Sequence, residues 1–152
     1  MQPEIVQLPD RHILGSVARI EPMNADYVAL WRNGFDPHES EVAALAVDPG
    51  YYGVYFGTDR PGWVDFVAGM VVGADVVAPE GLVLRPLPGG AYARFDCTLG
   101  TIGATWGAIY GQWLPTSGYA EDETRPALEY YPPGAMSPDA AVSIWVAIRP
   151  AG

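Results

Sequence analysis

Along this chain the spacing of apolar residues switches between a period of about two and a period near 3.6, the repeats that strands and helices impose. Alternation predicts strands over Glu4 to Leu8 and His12 to Ile20, joined by a turn at Pro9-Asp10-Arg11. Asn24 is placed to cap a helix from Ala25 to Asn33, and Gly34 to end it. Tyr51 to Gly57 and Phe66 to Gly73 follow as strands rich in aromatic and β-branched residues, with Asp59-Arg60-Pro61-Gly62 as the turn. After a connector over Ala74 to Gly81 the order returns. Strand Leu82 to Leu87, turn Pro88-Gly89-Gly90 and strand Ala91 to Leu99 precede a helix from Ile102 to Trp113, stopped by Pro115, and strands Ala127 to Tyr131 and Val142 to Ile148.

The return goes beyond element order. Ile102, Trp106, Ile109, Tyr110 and Trp113 recur at the steps of one helix face, and at one fixed interval Tyr27, Leu30 and Trp31 fall under Trp106, Ile109 and Tyr110. The same interval sets Leu8-Pro9 under Leu87-Pro88 and Phe66 under Trp145, while Ala18-Arg19 matches Ala93-Arg94 after a short deletion in the turn. The chain reads as one domain, 1–152, in which a strand-helix-strand-strand unit is written twice, about residues 1–74 and 81–150. Paired about a pseudo-two-fold axis, the units predict an α+β fold: one antiparallel curved sheet, two main helices on one face and a central cleft. A continuous α/β fold with parallel strands would need helices between most strands, and the pattern supplies two.

Composition narrows the partners. With 152 residues and 49% of them apolar, the chain can build a core without disulfides or metals. Its basic residues are eight arginines and no lysine, against eighteen acids, and the net charge of −10 repels nucleic-acid phosphates and anionic membrane surfaces. Direct nucleic-acid binding is therefore not expected. No basic-then-apolar leader and no run of roughly 20 apolar residues is present, so the reading is of a cytoplasmic protein away from membranes. The single cysteine, Cys97, sits in a strand pattern and reads as a quiet buried thiol. Asp36-Pro37-His38-Glu39 holds metal-capable groups, but the other histidine, His12, is on a distant strand, and neither metal nor cofactor is expected.

What remains is an aromatic face near a lone carboxylate. Glu129 stands in Leu128-Glu129-Tyr130-Tyr131, after a short acidic loop and the aromatic helix. Trp106, Tyr110 and Trp113 cannot all point into one cleft, and Tyr110 is the preferred wall because its hydroxyl can reach a polar ligand atom. Trp31 and Tyr27 read as core. Aligning Val54 with Glu129 puts Tyr52 and Phe56 on the pocket face by alternation, and a one-residue slip would substitute Tyr55. Gly103, Gly107 and Gly111 form a stripe beside the aromatic face, at a cost of about 1 kcal/mol each relative to alanine. Close packing of helix on sheet is the first explanation; room for a ligand is the second.

The run Leu87-Pro88-Gly89-Gly90-Ala91-Tyr92-Ala93, with Trp106 to Tyr110, Trp113-Leu114-Pro115-Thr116-Ser117-Gly118-Tyr119 and Leu128-Glu129-Tyr130, resembles the second half of GyrI-like domains. These include the effector-binding domains of transcription regulators such as BmrR and Rob. Asp65-Phe66-Val67-Ala68-Gly69-Met70-Val71 resembles the matching signature of the first half, so the likeness covers nearly the whole chain. It implies a duplicated fold with a pocket between the repeats for amphipathic, often cationic or planar, small molecules. It also implies that Glu129 takes the pocket-carboxylate position and that Phe66, Tyr110 and Trp145 stand as aromatic walls. The expected ligand-binding set is completed by Tyr52, Phe56, Met70, Trp106 and Trp113. There is no room for the DNA-reading helices that regulators fuse to this domain, so the chain resembles the stand-alone branch. That branch includes gyrase-inhibitory proteins and hydrolases of cyclopropane-bearing DNA-alkylating natural products.

Three functions follow as expectations. The first is binding of a small amphipathic, planar or cationic molecule for sequestration or drug resistance. The second is hydrolysis of a reactive electrophile in the same cage, with Glu129 and Tyr110 as the polar participants. In the third, an acidic surface inhibits a DNA enzyme through a protein partner. An open aromatic cleft favours the first two, and a filled cleft beside a clustered acidic face favours the third.

Overall fold

Strands arise where alternation predicts them, and the sheet they build follows from how the halves exchange strands. A computed structural model describes the whole chain, Met1 to Gly152. Its strands are β1 (Glu4–Leu8), β2 (Arg11–Ile20), β3 (Tyr51–Gly57), β4 (Val64–Val72), β5 (Val83–Leu87), β6 (Gly90–Thr98), β7 (Tyr119–Glu121), β8 (Ala127–Tyr131) and β9 (Ala141–Pro150). They form a curved antiparallel sheet in the order β1-β6-β9-β8-β3-β4-β2-β5, with the unanticipated β7 pairing the end of β9. The set β2-β4-β3 is answered by β6-β9-β8, and β3 meets β8 at the centre with Gly53 opposite Glu129. Each half also lends a strand to the other: β1 pairs with β6, and β5 pairs with β2.

Two helical stretches cover one face. The first, 27–43, is capped by Asp26, whose carboxylate accepts from the Ala29 N–H at 3.1 Å, rather than by Asn24. It runs past Gly34 because that residue sits inside π-helical turns, Leu30–Phe35, which carry the chain on into Glu39–Ala43. The second, 99–117, opens with a capping box between Thr98 and Thr101. Pro115 does not stop it. A π-helical segment, Ile109–Trp113, precedes a fresh turn, Leu114–Ser117, whose first positions tolerate proline, and Gly118 at φ 82° ends the helix.

Beneath the first helix, Leu14, Phe35, Phe66 and Met70 form a core; beneath the second, Phe95, Ile109, Ile144 and Val146 form another. The opposite face has no helix, yet Ile13, Val54, Val67 and Leu128 on it are fully buried. The curl of the sheet buries them. It brings the β1–β2 and β5–β6 turns together, where the Gly89 N–H donates to Asp10 at 2.7 Å. A side chain at position 89 would collide with the backbone of Leu8 and Pro9, so this approach needs glycine. No helix is long and apolar enough to cross a membrane.

Candidate functional site

Glu129 lies mid-strand on β8 and faces the helices, where only 5% of it is exposed. Its space is made by its partner across the ladder. A Cβ on Gly53 would come within 3.2 Å of the Glu129 Oε1 and 3.0 Å of the Phe66 ring. Three neutral donors hold the carboxylate: Trp106 Nε1–H at 2.7 Å and the Tyr55 hydroxyl at 3.2 Å on Oε2, and the Tyr131 hydroxyl on Oε1. No arginine forms an ion pair with it. Burial raises the Glu129 pKa above the ordinary carboxylate range, and the hydrogen bonds from Tyr131, Trp106 and Tyr55 offset part of that rise. Burial, reinforced by the Glu129 charge, pushes the phenols of Tyr55 and Tyr131 far upward, so both remain protonated donors.

Above this carboxylate opens a cavity of about 1820 Å³, larger than the roughly 300 to 1,000 Å³ of common drug-sized sites. The first half contributes Tyr27, Trp31, Tyr51 and Tyr55 to its walls, and the second contributes Trp106, Tyr110 and Tyr131. Trp31 meets Tyr131 edge to face at 5.7 Å, and Tyr55 meets Trp106 at 5.5 Å, so the halves interlock through aromatic rings. Trp106 and Tyr110 stack nearly parallel, at 7° and 6.1 Å. Gly103 and Gly107 line the cavity, and a Cβ on either, or on Gly111, would meet nothing within 4 Å. The glycine stripe therefore does not serve close packing of helix on sheet; two of its members border open space over the carboxylate.

Among the residues anticipated from sequence, Trp106, Tyr110 and Glu129 line the cavity. Tyr110 is 43% exposed, and its hydroxyl donates not toward Glu129 but to Glu121 at 2.8 Å. Phe66 is buried in the floor, edge to face with Tyr27 at 5.3 Å and tilted against Tyr55 at 5.1 Å. Met70 belongs to the core under the first helix and Trp113 packs on Phe95 at 5.0 Å, so neither borders the cavity.

Tyr52, Phe56 and Trp145 stand on the opposite face. The register sets Gly53, not Val54, against Glu129, so alternation turns Tyr51 and Tyr55 toward the helices and Tyr52 and Phe56 away. Likewise Ile144 opposes Glu129, and Trp145 beside it points outward, donating its Nε1–H to Ser143 at 2.9 Å. The fixed interval that aligns the helices thus fails by an odd step in the last strands.

Sequence reasoning left Tyr27, Trp31, Tyr51, Tyr55, Tyr131 and Glu121 outside the ligand set, with Tyr55 considered only as the product of a one-residue slip and Tyr51 lost to the same register error. Tyr131 was reachable, because it lies two positions from Glu129 on one strand. Tyr27 and Trp31 face both core and cavity, which periodicity cannot separate. Glu121 had no signal beyond its place in an acidic run. Burial raises its pKa, with the Tyr110 hydrogen bond acting the other way.

The GyrI-like small molecule binding domain model matches residues 1–149, and the chain belongs to that family. The structure of SAV2435 bound to tetraphenylphosphonium is similar, at a TM-score of 0.79 and 12% identity over 98% of this chain and 94% of that one. The C-terminal domain of EcmrR superimposes with a TM-score of 0.70 at 16% identity, over 99% and 98% of the two chains. A hydrolase from Listeria innocua gives 0.58 and 13% over 97% and 92%. Among curated protein sequences none matches this chain.

Proposed function

Starting from membership of the GyrI-like family, we propose that this chain binds an amphipathic organic cation with planar or aromatic parts in the cavity between its helices, and that it serves sequestration or resistance. The observation that carries this reading is Glu129: a carboxylate that is 5% exposed, held by neutral donors alone, at the base of an aromatic cavity. A buried anion without a counter-charge is costly. An incoming cation relieves that cost, and each good ring contact adds about 0.5 to 2 kcal/mol beyond apolar burial. The tetraphenylphosphonium complex of SAV2435 supports the choice of ligand class.

The test is a titration of wild type and Glu129→Gln with tetraphenylphosphonium and a cationic dye, followed by calorimetry or tryptophan fluorescence. The isosteric change should weaken binding by roughly 1 to 3 kcal/mol while thermal melting stays cooperative. Superimposable titrations would refute the assignment of Glu129 as the ligand's counter-charge.

Hydrolysis in the same cage is the second reading. It draws support from the upward pKa shift of Glu129, which favours a carboxyl able to donate a proton, and from the likeness to the Listeria innocua hydrolase. With Tyr110 tied to Glu121, the polar groups at Glu129 are the Trp106 indole N–H and the hydroxyls of Tyr55 and Tyr131. Incubation with strained-ring alkylating agents, read by mass spectrometry, separates the readings. A gain of water faster than in buffer, lost in Glu129→Gln, supports hydrolysis; unaltered compounds that displace a bound dye support binding. Inhibition of a DNA enzyme through surface charge draws no support from a cavity that stands open.

A further inference from the structure

Besides Glu129 the cavity is lined by the carboxylates of Asp36, Glu39, Glu121 and Glu123, and of these Glu121 alone is bonded to the stacked ring pair that also holds Glu129. Glu121 lies on β7, where the pairing of Tyr119 to Glu121 with Ile148 to Pro150 fixes the strand beside the second helix. It lines the cavity, is half-buried, and accepts a hydrogen bond from the Tyr110 hydroxyl at 2.8 Å. No ion pair neutralises it, because the nearby Arg125 is engaged by Asp122 at 3.2 Å and by the carbonyls of Ala91 and Ile148. Arg60, on the opposite wall, lies over the Trp63 ring at 4.3 Å.

The two carboxylates are linked by one ring pair. Trp106 and Tyr110 are one helical turn apart and nearly parallel, yet their polar atoms go to different anions: the indole N–H to Glu129 at 2.7 Å, the phenol to Glu121 at 2.8 Å. One stacked aromatic surface thus runs from a deep anionic station to one near the mouth. Gly103 and Gly107, on the same helix, leave room beside it.

Building on the cation-binding reading, we propose that the cavity selects molecules with two separated cationic groups, one seated at Glu129 and the other at Glu121, with an apolar or aromatic spacer along Trp106 and Tyr110. Each carboxylate is left without a counter-cation by the protein, and a monocation answers one of them. A dication of the right span answers both, and its second contact is intramolecular once the first is made.

The probes are N-alkylpyridinium monocations and α,ω-alkane-linked bispyridinium dications with a graded series of methylene spacers, titrated calorimetrically into the intact chain. At one favoured spacer the dication should bind about ten-fold or more tightly than a monocation of equal apolar bulk. Glu121→Gln should erase that advantage, read as the ratio of dication to monocation affinity within the same variant, whereas Glu129→Gln should weaken both. Asp59→Asn, at an exposed position outside the cavity, controls for net charge and should change neither. If monocations bind but no spacer gives an advantage, or if the advantage survives Glu121→Gln, the two-station site is wrong while the cation pocket stands. If neither probe binds wild type, both fall. The wild-type spacer series decides the matter even if a variant fails to fold.

Discussion

The two halves of this chain bring aromatic residues to the same cavity and use them differently. In the first half Tyr27 and Trp31 are joined edge to face with Phe66 and Phe35, rings that are almost wholly buried, so the wall there is the outer layer of a core. In the second half Trp106 and Tyr110 stack on each other and spend their polar atoms on carboxylates, while the core beneath is left to Phe95, Ile109, Ile144 and Val146. At the seam Gly53 faces Glu129, an absent side chain opposite a charged one. The division is one of emphasis: Tyr55 of the first half also donates to Glu129, but the deep carboxylate and the stacked ring pair both come from the second half, over a first-half wall kept rigid by its core.

The sharpest break of this division is at the floor. Phe66→Ala should cost about 3 to 5 kcal/mol of stability, because it empties a site that Tyr27, Trp31 and Tyr55 all rest on. Trp106→Ala, on the other wall, should remove ligand binding at a smaller cost in stability. Denaturant unfolding beside dye titration checks both; equal stability losses would erase the distinction between core-backed and polar walls.

At the seam, Gly53→Ala should destabilise by about 1 to 3 kcal/mol, since the new methyl presses on a buried ring and a buried carboxylate at once. The paired change Gly53→Ala with Glu129→Gln should recover little, as the ring contact remains. A double-mutant cycle measures it.

A third prediction concerns pH. The folded-state pKa of Glu129 is raised, mainly by burial, so between the ordinary carboxylate range and that raised value the folded chain holds a proton that the unfolded chain has lost. Stability should fall as pH rises through that window, and the full cost should persist above it. Asp65, bonded to Arg19 and Arg85, and Asp122, bonded to Thr124 and Arg125, have lowered pKa values and act oppositely, losing their contribution as pH falls through those lowered values. Melting curves across acid and neutral pH should show the Glu129 slope in wild type and a flatter profile in Glu129→Gln, while cation binding tightens as pH rises.

The smallest effects lie in the glycine stripe. Alanine at Gly103, Gly107 or Gly111 meets no atom and should stabilise the helix by about 0.4 to 1 kcal/mol each. Binding should weaken for Gly103→Ala and Gly107→Ala, which border the cavity, and stay unchanged for Gly111→Ala, which does not. Uniform binding across the three would deny the stripe a role in making room.

Element order, the antiparallel sheet, the two helices and the family were legible in the chain because each rests on local periodicity or on motifs several residues long. Sidedness was not. Assigning Tyr52, Phe56 and Trp145 to a face required the strand register to the nearest residue, and one odd step between the repeats reversed all three. Glu129 escaped this error because it anchored the alignment, and Tyr131 followed from it by simple alternation. Trp113 misled because the π-helical turns rotate the end of the second helix away from the cavity and onto Phe95. Glu121 depended on a three-residue strand whose pairing partner lies at the far end of β9, a long-range fact that no local window contains.

The exchange of outer strands has a consequence for how the chain reaches this state. β1 has its only partner in β6, β5 has its only partner in β2, and β9 lies inside the sheet between β6 and β8. A ribosome that has released only the first repeat has made a three-stranded sheet with one unpaired ribbon and two open edges, β2 and β3, and the interior place of β9 is filled only when synthesis is nearly complete. Acquisition of structure is therefore dominated by contacts distant in sequence, which slows folding and lengthens the time during which sticky edges are exposed. The halves are copies in pattern but not separable parts: cut in the connector, each fragment would hold one strand that only the other can pair.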